Sequence, residues 1–219
     1  MSRCRLCERK SLFLSVSKDG LCKNCQPLVE MDVRQRVRIM QDSLELIDKS
    51  KKLETRISRC KLFLDHAREL LRYENKSIPT MDPLPSRLIQ KYEPIKEDII
   101  NEGLKEEVEK ALAKAELATT PKTKINNANK AILKIREYKK ELKNHSKAET
   151  LESRIKKFTH ETQLNAFLEK AHKYEFKGQK KKALDQYQDA LFFIKNDDID
   201  DDIQKKEIVK LEAKIEEYR

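Results

Sequence analysis

The chain has 219 residues, of which 39% are charged and 38% hydrophobic, with a net charge of +10 and a mean hydropathy of −0.81. That balance leaves room for one or two domains with thin cores, and no apolar run approaches the roughly 18 residues a membrane span needs. Three glycines and six prolines are too few for a turn-rich sheet protein, and the wealth of Lys, Glu, Leu and Ala points to a mainly α fold.

The chain opens MSRCRLCERKSLFLSVSKDGLCKNC. Four basic residues in the first ten with no apolar stretch behind them do not read as a leader. Leu12, Leu14 and Val16 alternate with polar neighbours except for Phe13, which predicts a short strand over 10–17. Lys18-Asp19-Gly20 predicts a hairpin turn, and Pro27 suits the first turn of a helix.

From Leu28 to about Tyr73 there is no glycine and no proline. Val33, Val37, Met40, Leu44 and Ile47 step by four and three, and Leu53, Ile57, Cys60, Leu64, Ala67 and Leu71 repeat the pattern. One long amphipathic helix over 27–73 is expected, with two helices meeting near Ser50 as the alternative. Its stripe needs a cover, either the rest of the chain or a second copy in a coiled coil. Residues 74–85 carry Pro79, Pro83 and Pro85 and read as a linker or sharp turn.

The remainder, 86–219, predicts helices over 86–101 (with Pro94 as a kink), 105–118, 121 towards 144 behind a Thr120-Pro121 cap, 146–160, 163–176, 179–195 and 203–218. The acidic segment NDDIDDDI lacks the glycine and spaced terminal Glu of a calcium loop. It reads as a solvated loop whose Asp side chains favour the next helix N-terminus.

The cysteines carry the sharpest chemistry. The spacing Cys4-x2-Cys7-x14-Cys22-x2-Cys25 provides two close thiolate pairs, as a tetrahedral zinc ion requires. Four sulfurs close the coordination shell, so the site reads as structural. Two symmetric pairs around a hairpin favour zinc over an iron–sulfur cluster, and the βαβ setting of a redox dithiol is missing. The dipole of the helix after Cys25 would help Cys22 and Cys25 stay deprotonated. The order of knuckle, hairpin, knuckle and helix over about residues 1–40 resembles treble-clef and zinc-ribbon fingers. The finger itself is expected over 1–26. Cys60 lies on the apolar stripe and reads as a small core residue.

Within 167–194, Ala171, Tyr174, Gly178, Ala183, Tyr187, Ala190 and Leu191 fall at offsets 0, 3, 7, 12, 16, 19 and 20. This resembles the tetratricopeptide repeat, a pair of antiparallel helices. Phe167 stands where that family often has Trp, and Lys195 replaces the terminal proline. A weaker echo runs through Ala111, Ala118, Ala131, Ile132 and Ile135. The resemblance implies a short helical-hairpin solenoid over 86–219, closed by a polar capping helix, with a groove for a partner protein or peptide. Tyr174, Lys177, Lys180, Lys181, Lys182 and Tyr187 are the candidate partner-binding residues.

Catalysis is not expected. Three glycines cannot build a phosphate loop, and His66, His145, His160 and His172 lack a metalloprotease spacing. An adaptor that binds proteins, with a structural zinc finger, is the leading expectation. Nucleic-acid binding is the alternative, because residues 1–72 hold 17 Lys and Arg against 10 Asp and Glu. Its candidate residues are Arg3, Arg5, Arg9, Lys10, Lys18 and Lys23 on the finger and Arg34 and Arg38 on the following helix. Reduced thiols and the missing leader suggest the cytoplasm, or a nucleus where there is one.

Overall fold

The computed structural model describes residues 2–197, 199 and 201–218, the side chains of Asp201 and Asp202 excepted. It is mainly α. A two-stranded antiparallel ribbon, β1 (Ser2–Arg3) and β2 (Lys10–Ser11), pairs Ser2 with Ser11 and Arg3 with Lys10. Seven helices follow among the described residues: α1 (Cys25–Lys49), α2 (Leu53–Glu74), α3 (Pro85–Glu116), α4 (Pro121–Lys139), α5 (Ser146–Phe176), α6 (Lys180–Lys195) and α7 (Asp201–Glu217). The chain divides into two compact units. The first holds the residues up to Gly103 with Glu141–Lys143, and the second holds Leu104–Lys140 with the residues from Asn144 onward.

In the first unit the expected single helix over 27–73 is two. Helix α1 stops at Lys49, and Ser50 and Lys52 take extended backbone, with ψ of 133° and 118°. The polar DKSKK segment offers nothing to continue the apolar stripe. The Ser50 hydroxyl accepts from the Lys52 N–H at 3.2 Å, a local bond that competes with helix. Arg56 then reaches back to the Ile47 carbonyl at 3.1 Å and satisfies one of the last carbonyls of α1. The two helices run antiparallel: Asp32 meets Tyr73 and Arg72, while Arg36 meets His66. The stripe that could have served a second copy is therefore taken up by α2, with Met40, Phe63, Leu64, Ala67 and Leu70 in one core. Cys60 is fully buried, as expected, and burial raises its thiol to about 11.

Residues 75–84 form a packed turn and not a link between domains. Ile78 is buried, and Glu74 accepts from both the N–H and the hydroxyl of Ser86, at 2.9 and 2.5 Å. Helix α3 then runs unbroken through Pro94 and Gly103, where the sequence suggested a kink and a stop. An interior proline normally costs about 3 kcal/mol. Here packing on both sides offsets it: the Tyr92 ring packs on Phe63 at a tilt of 51° with centroids 4.5 Å apart, and Ile99 and Ile100 are buried. Residues 86–103 thus belong with the first unit, and the unit boundary falls inside α3.

In the second unit the Thr120 hydroxyl accepts from the Thr123 N–H at 3.2 Å, the cap expected for α4. That helix ends at Lys139, short of the predicted 144. The expected helices 146–160 and 163–176 are one helix, α5, in which the Thr162 hydroxyl bonds back to the Phe158 carbonyl at 2.7 Å. Gly178 turns α5 into α6 with φ of 69°, a conformation that favours glycine. Leu164, Ala171, Tyr187, Ala190 and Ile194 meet Ile208, Leu211 and Ile215 of α7 in one core.

Candidate metal centre

The predicted hairpin is shorter than the alternation implied. Beyond β2 only Val16 bridges to Cys22, around the Lys18-Asp19-Gly20 turn, while Leu12 and Phe13 project into solvent, Phe13 at 96% exposure. The turn is closed by Gly20 N–H to Ser17 at 2.9 Å and by Ser17 N–H to Leu21 at 2.8 Å. Gly20 has φ of 74° and lies against Arg5, so a side chain there would be strained and would collide with the arginine. This turn sets Cys22 beside the first knuckle. The Glu8 N–H bonds to the Cys4 carbonyl at 2.9 Å, and the Cys4 N–H bonds to Arg9 at 3.1 Å.

The sulfurs of Cys4, Cys7, Cys22 and Cys25 all lie within 4.8 Å of one another. Cys7 and Cys22 sulfurs are 3.9 Å apart, close to the roughly 3.8 Å edge of a tetrahedron with Zn–S bonds of about 2.3 Å. Cys4, Cys22 and Cys25 are buried and Cys7 is exposed. Burial works against a Cys4 thiolate, but the N–H groups of Cys22, Cys7 and Leu6 outweigh it and bring the thiol down to about 6. The Cys25 N–H likewise lowers Cys22. Cys25 goes the other way, pushed up to about 12 by burial and then by its neighbouring thiols. Four thiols this close cannot all ionise alone, and a divalent cation among them removes the conflict. The donor set is compatible with one zinc ion. It leaves no position open for water, so a metal here would supply folding free energy and no Lewis-acid chemistry.

The finger is not a separate module. Cys4, Leu21, Cys22, Cys25 and Val29 belong to the same core as Phe63, Leu70, Tyr73 and Ile78. Arg5 donates to the Ser77 carbonyl at 2.5 Å, and Lys76 donates to the Leu6 carbonyl at 3.0 Å. Arg5 is therefore a structural clasp, and Arg3 is paired with Glu8 at 2.8 Å. The other six basic candidates, Arg9, Lys10, Lys18, Lys23, Arg34 and Arg38, are exposed. Arg34 and Arg38 line a hollow with Val33, Val37 and Ile78.

A larger concavity lies elsewhere, in the second unit. A groove of about 1790 Å³ is lined by α4, α5, α6 and α7. Leu164, Leu168 and Leu211 line it, with Lys156, Lys210 and Glu207 among its polar residues. Of the six predicted partner residues only Tyr187 reaches it. Tyr187 is core, 1% exposed, and burial ahead of the nearby Glu175 carboxylate raises its hydroxyl to about 12. Tyr174 is half-buried with the Lys182 ammonium 5.7 Å from its ring. Lys177, Lys180 and Lys181 lie at the α5–α6 turn, outside the groove.

Sequence reasoning passed over His160 and Asp197, which are 37 positions apart and carry no motif. They meet in the groove with His160 Nε2 2.6 Å from Asp197 Oδ2, outside hydrogen-bond geometry. Asp197 also accepts from the Ile199 N–H at 2.8 Å and the Gln204 amide at 3.0 Å. It is not the solvated side chain the acidic segment suggested. Asp198 and Asp200 lie outside the described residues.

No helix among the described residues is long and apolar enough to cross a membrane. Comparison with protein-family models, curated proteins and solved structures returned no match.

Proposed function

We propose that the protein is a non-enzymatic adaptor, built on a tetratricopeptide-like helical unit that receives a segment of a partner protein and on a zinc finger that is purely structural. The observation that carries this reading is the groove along α5 and α7. It is open and lined by apolar side chains between lysines and glutamates, an arrangement that can bind a peptide by packing and select it by charge. The closed four-sulfur shell supports a structural metal over a catalytic one. Thiolate ligands of this kind belong to a reducing compartment such as the cytoplasm.

The test compares full-length protein with a groove variant, Lys210→Glu combined with Leu168→Lys, as baits on extract from the source cell. A partner held by the wild type and lost from the folded variant supports the reading. Identical capture by both, or a monomer that co-purifies with nothing, overturns it.

A second reading rests on a different observation. Arg9, Lys10, Lys18, Lys23, Arg34 and Arg38 are exposed and make no ion pair among the described residues. Such cations can meet phosphates in a salt-dependent, weakly sequence-specific way. Titration with duplex DNA and single-stranded RNA at two salt concentrations decides it. Affinity that is absent at low salt, or that does not fall as salt rises, removes this reading.

A further inference from the structure

A second concavity in the same unit has a more specific chemistry than the groove. About 500 Å³ in volume, it is lined by Phe167, Asp189, Phe192, Phe193, Asn196 and Asp197. Phe167 comes from α5, and the others lie on or just beyond the last two turns of α6. The rings of Phe167 and Phe193 sit 5.9 Å apart at 46°. Phe193 is held from behind by His160, stacked at 5.1 Å. Phe192 stands 71% exposed. Three aromatic side chains therefore border one small hollow.

The two charged side chains that line it are both acidic, although Asp197 is largely buried against His160 and Gln204. No lysine or arginine lines the hollow, while Asp189 and Asp197 do. Asp189 accepts from the Gln186 amide at 2.9 Å and is exposed without a cation beside it. Asn196 donates to the Phe192 carbonyl at 2.8 Å and marks the C-terminus of α6, the negative end of its dipole. Lys195, the basic residue of that last turn, is drawn off to Glu212 at 2.7 Å. The sequence continues from Asp197 into Asp198, Asp200, Asp201 and Asp202.

We propose that this hollow binds a lysine ammonium, free or methylated, presented by a basic segment of a partner protein. Aromatic faces attract a cation through their quadrupole, most strongly where water is thinned out, and the exposed Asp189 carboxylate at the rim adds Coulomb attraction. An apolar ligand would gain nothing from the carboxylates or the helix end, and an anion would be repelled by both. The five aspartates in six residues favour a basic segment over an isolated cation. This site goes beyond the groove reading and does not depend on it. Phe193 and Asp197 line both concavities, but its key side chains, Phe192 and Asp189, lie outside the groove.

The experiment titrates full-length, metal-loaded protein with short blocked peptides of alternating glycine and one other residue: lysine, trimethyllysine or norleucine. Amide shifts over residues 185–197 report binding. The lysine and trimethyllysine peptides should bind and the norleucine peptide should not. Phe192→Leu keeps an apolar side chain but removes the π face, and should weaken lysine binding roughly fivefold or more, while Phe192→Trp should hold or strengthen it. Asp189→Asn should weaken it and flatten its salt dependence. Both positions are exposed, so helical circular dichroism should match the wild type. Norleucine binding equal to lysine, full affinity in Phe192→Leu, or no binding by any peptide would each overturn the proposal. Groove variants should leave the lysine titration unchanged, which separates its failure from failure of the groove reading.

Discussion

Leu53 packs so tightly over Gly103 that a β-carbon on the glycine would stand 2.3 Å from Leu53 Cδ1. A mid-helix glycine normally weakens a helix by about 1 kcal/mol relative to alanine, so its presence in α3 needs a compensating contact. The close approach of the first residue of α2 is that contact. Overpacking of this kind costs about 1–3 kcal/mol, against the gain in helix propensity. Gly103→Ala should therefore lower stability, by up to about 2 kcal/mol after the propensity gain is subtracted, read as a lower urea midpoint. A rise in the midpoint would mean that Leu53 moves aside freely.

Metal removal follows from the shared core of finger and helices. Cys4, Cys22 and Cys25 sit among Leu70, Tyr73 and Ile78, so releasing the sulfurs disturbs more than residues 1–26. The purified protein should carry one zinc per chain. Chelation should lower the melting temperature of the first unit and loosen the start of α1, while the helices of the second unit keep their far-ultraviolet signal. Loss of helical signal across the whole chain, or no change in melting, would contradict this. Affinity should also fall as pH drops, because protons compete for the thiolates.

Asp32 gives a pH dependence whose sign can be worked out. Burial pushes its carboxyl up, but Arg36, Tyr73 and Arg72, all bonded to it at 2.8–3.0 Å, outweigh that and hold it below the usual carboxylate range. A folded-state pKa below the unfolded value means stability present above the unfolded value and lost as pH falls through the folded one. The contribution is therefore intact above about pH 4 and fades below it. Asp32→Asn should cost about 1–3 kcal/mol at neutral pH, and the difference from wild type should shrink in acid. Urea midpoints at pH 7 and pH 3 make the comparison; a constant difference would show that charge is not the cause.

Thr120 is a cleaner local test. Its hydroxyl is the side-chain cap of α4, and loss of such a cap costs about 1 kcal/mol. Thr120→Ala should lower stability by that amount and Thr120→Ser should restore most of it. Hydrogen exchange should show faster opening at Thr123 in the alanine variant.

The residues that were legible in the sequence are those whose roles are local. Cys-x-x-Cys pairs, the Gly20 and Gly178 turns and the Thr120 cap depend on a few neighbours in the chain. The breaks were harder. Pro94 and Gly103 are helix-breaking by propensity, and long-range packing, including that of Tyr92 on Phe63 and of Leu53 on Gly103, offsets them in α3. Over the long stripe of 28–71, the six-residue step from Ile47 to Leu53 and the polar DKSKK segment left both one helix and two open, and did not decide for the fold-back at Ser50. The groove and the aromatic hollow arise where distant elements meet. His160 and Asp197, or Phe167 and Phe192, share no spacing that could have brought them together in advance.

The clasp of Arg5 on Ser77 and of Lys76 on Leu6 bears on how this finger can be inherited and moved. A finger that is a bead on a string can be shuffled, grafted or deleted at little cost to its neighbours. This one shares its hydrophobic floor with α1 and α2 and is buttoned to the turn after them. It cannot be traded for another four-cysteine finger without rebuilding that floor. In this protein the four-cysteine cluster sits like a rivet in a larger plate, so substitutions around Leu70 and Ile78 should tune its affinity for zinc as surely as those beside the cysteines.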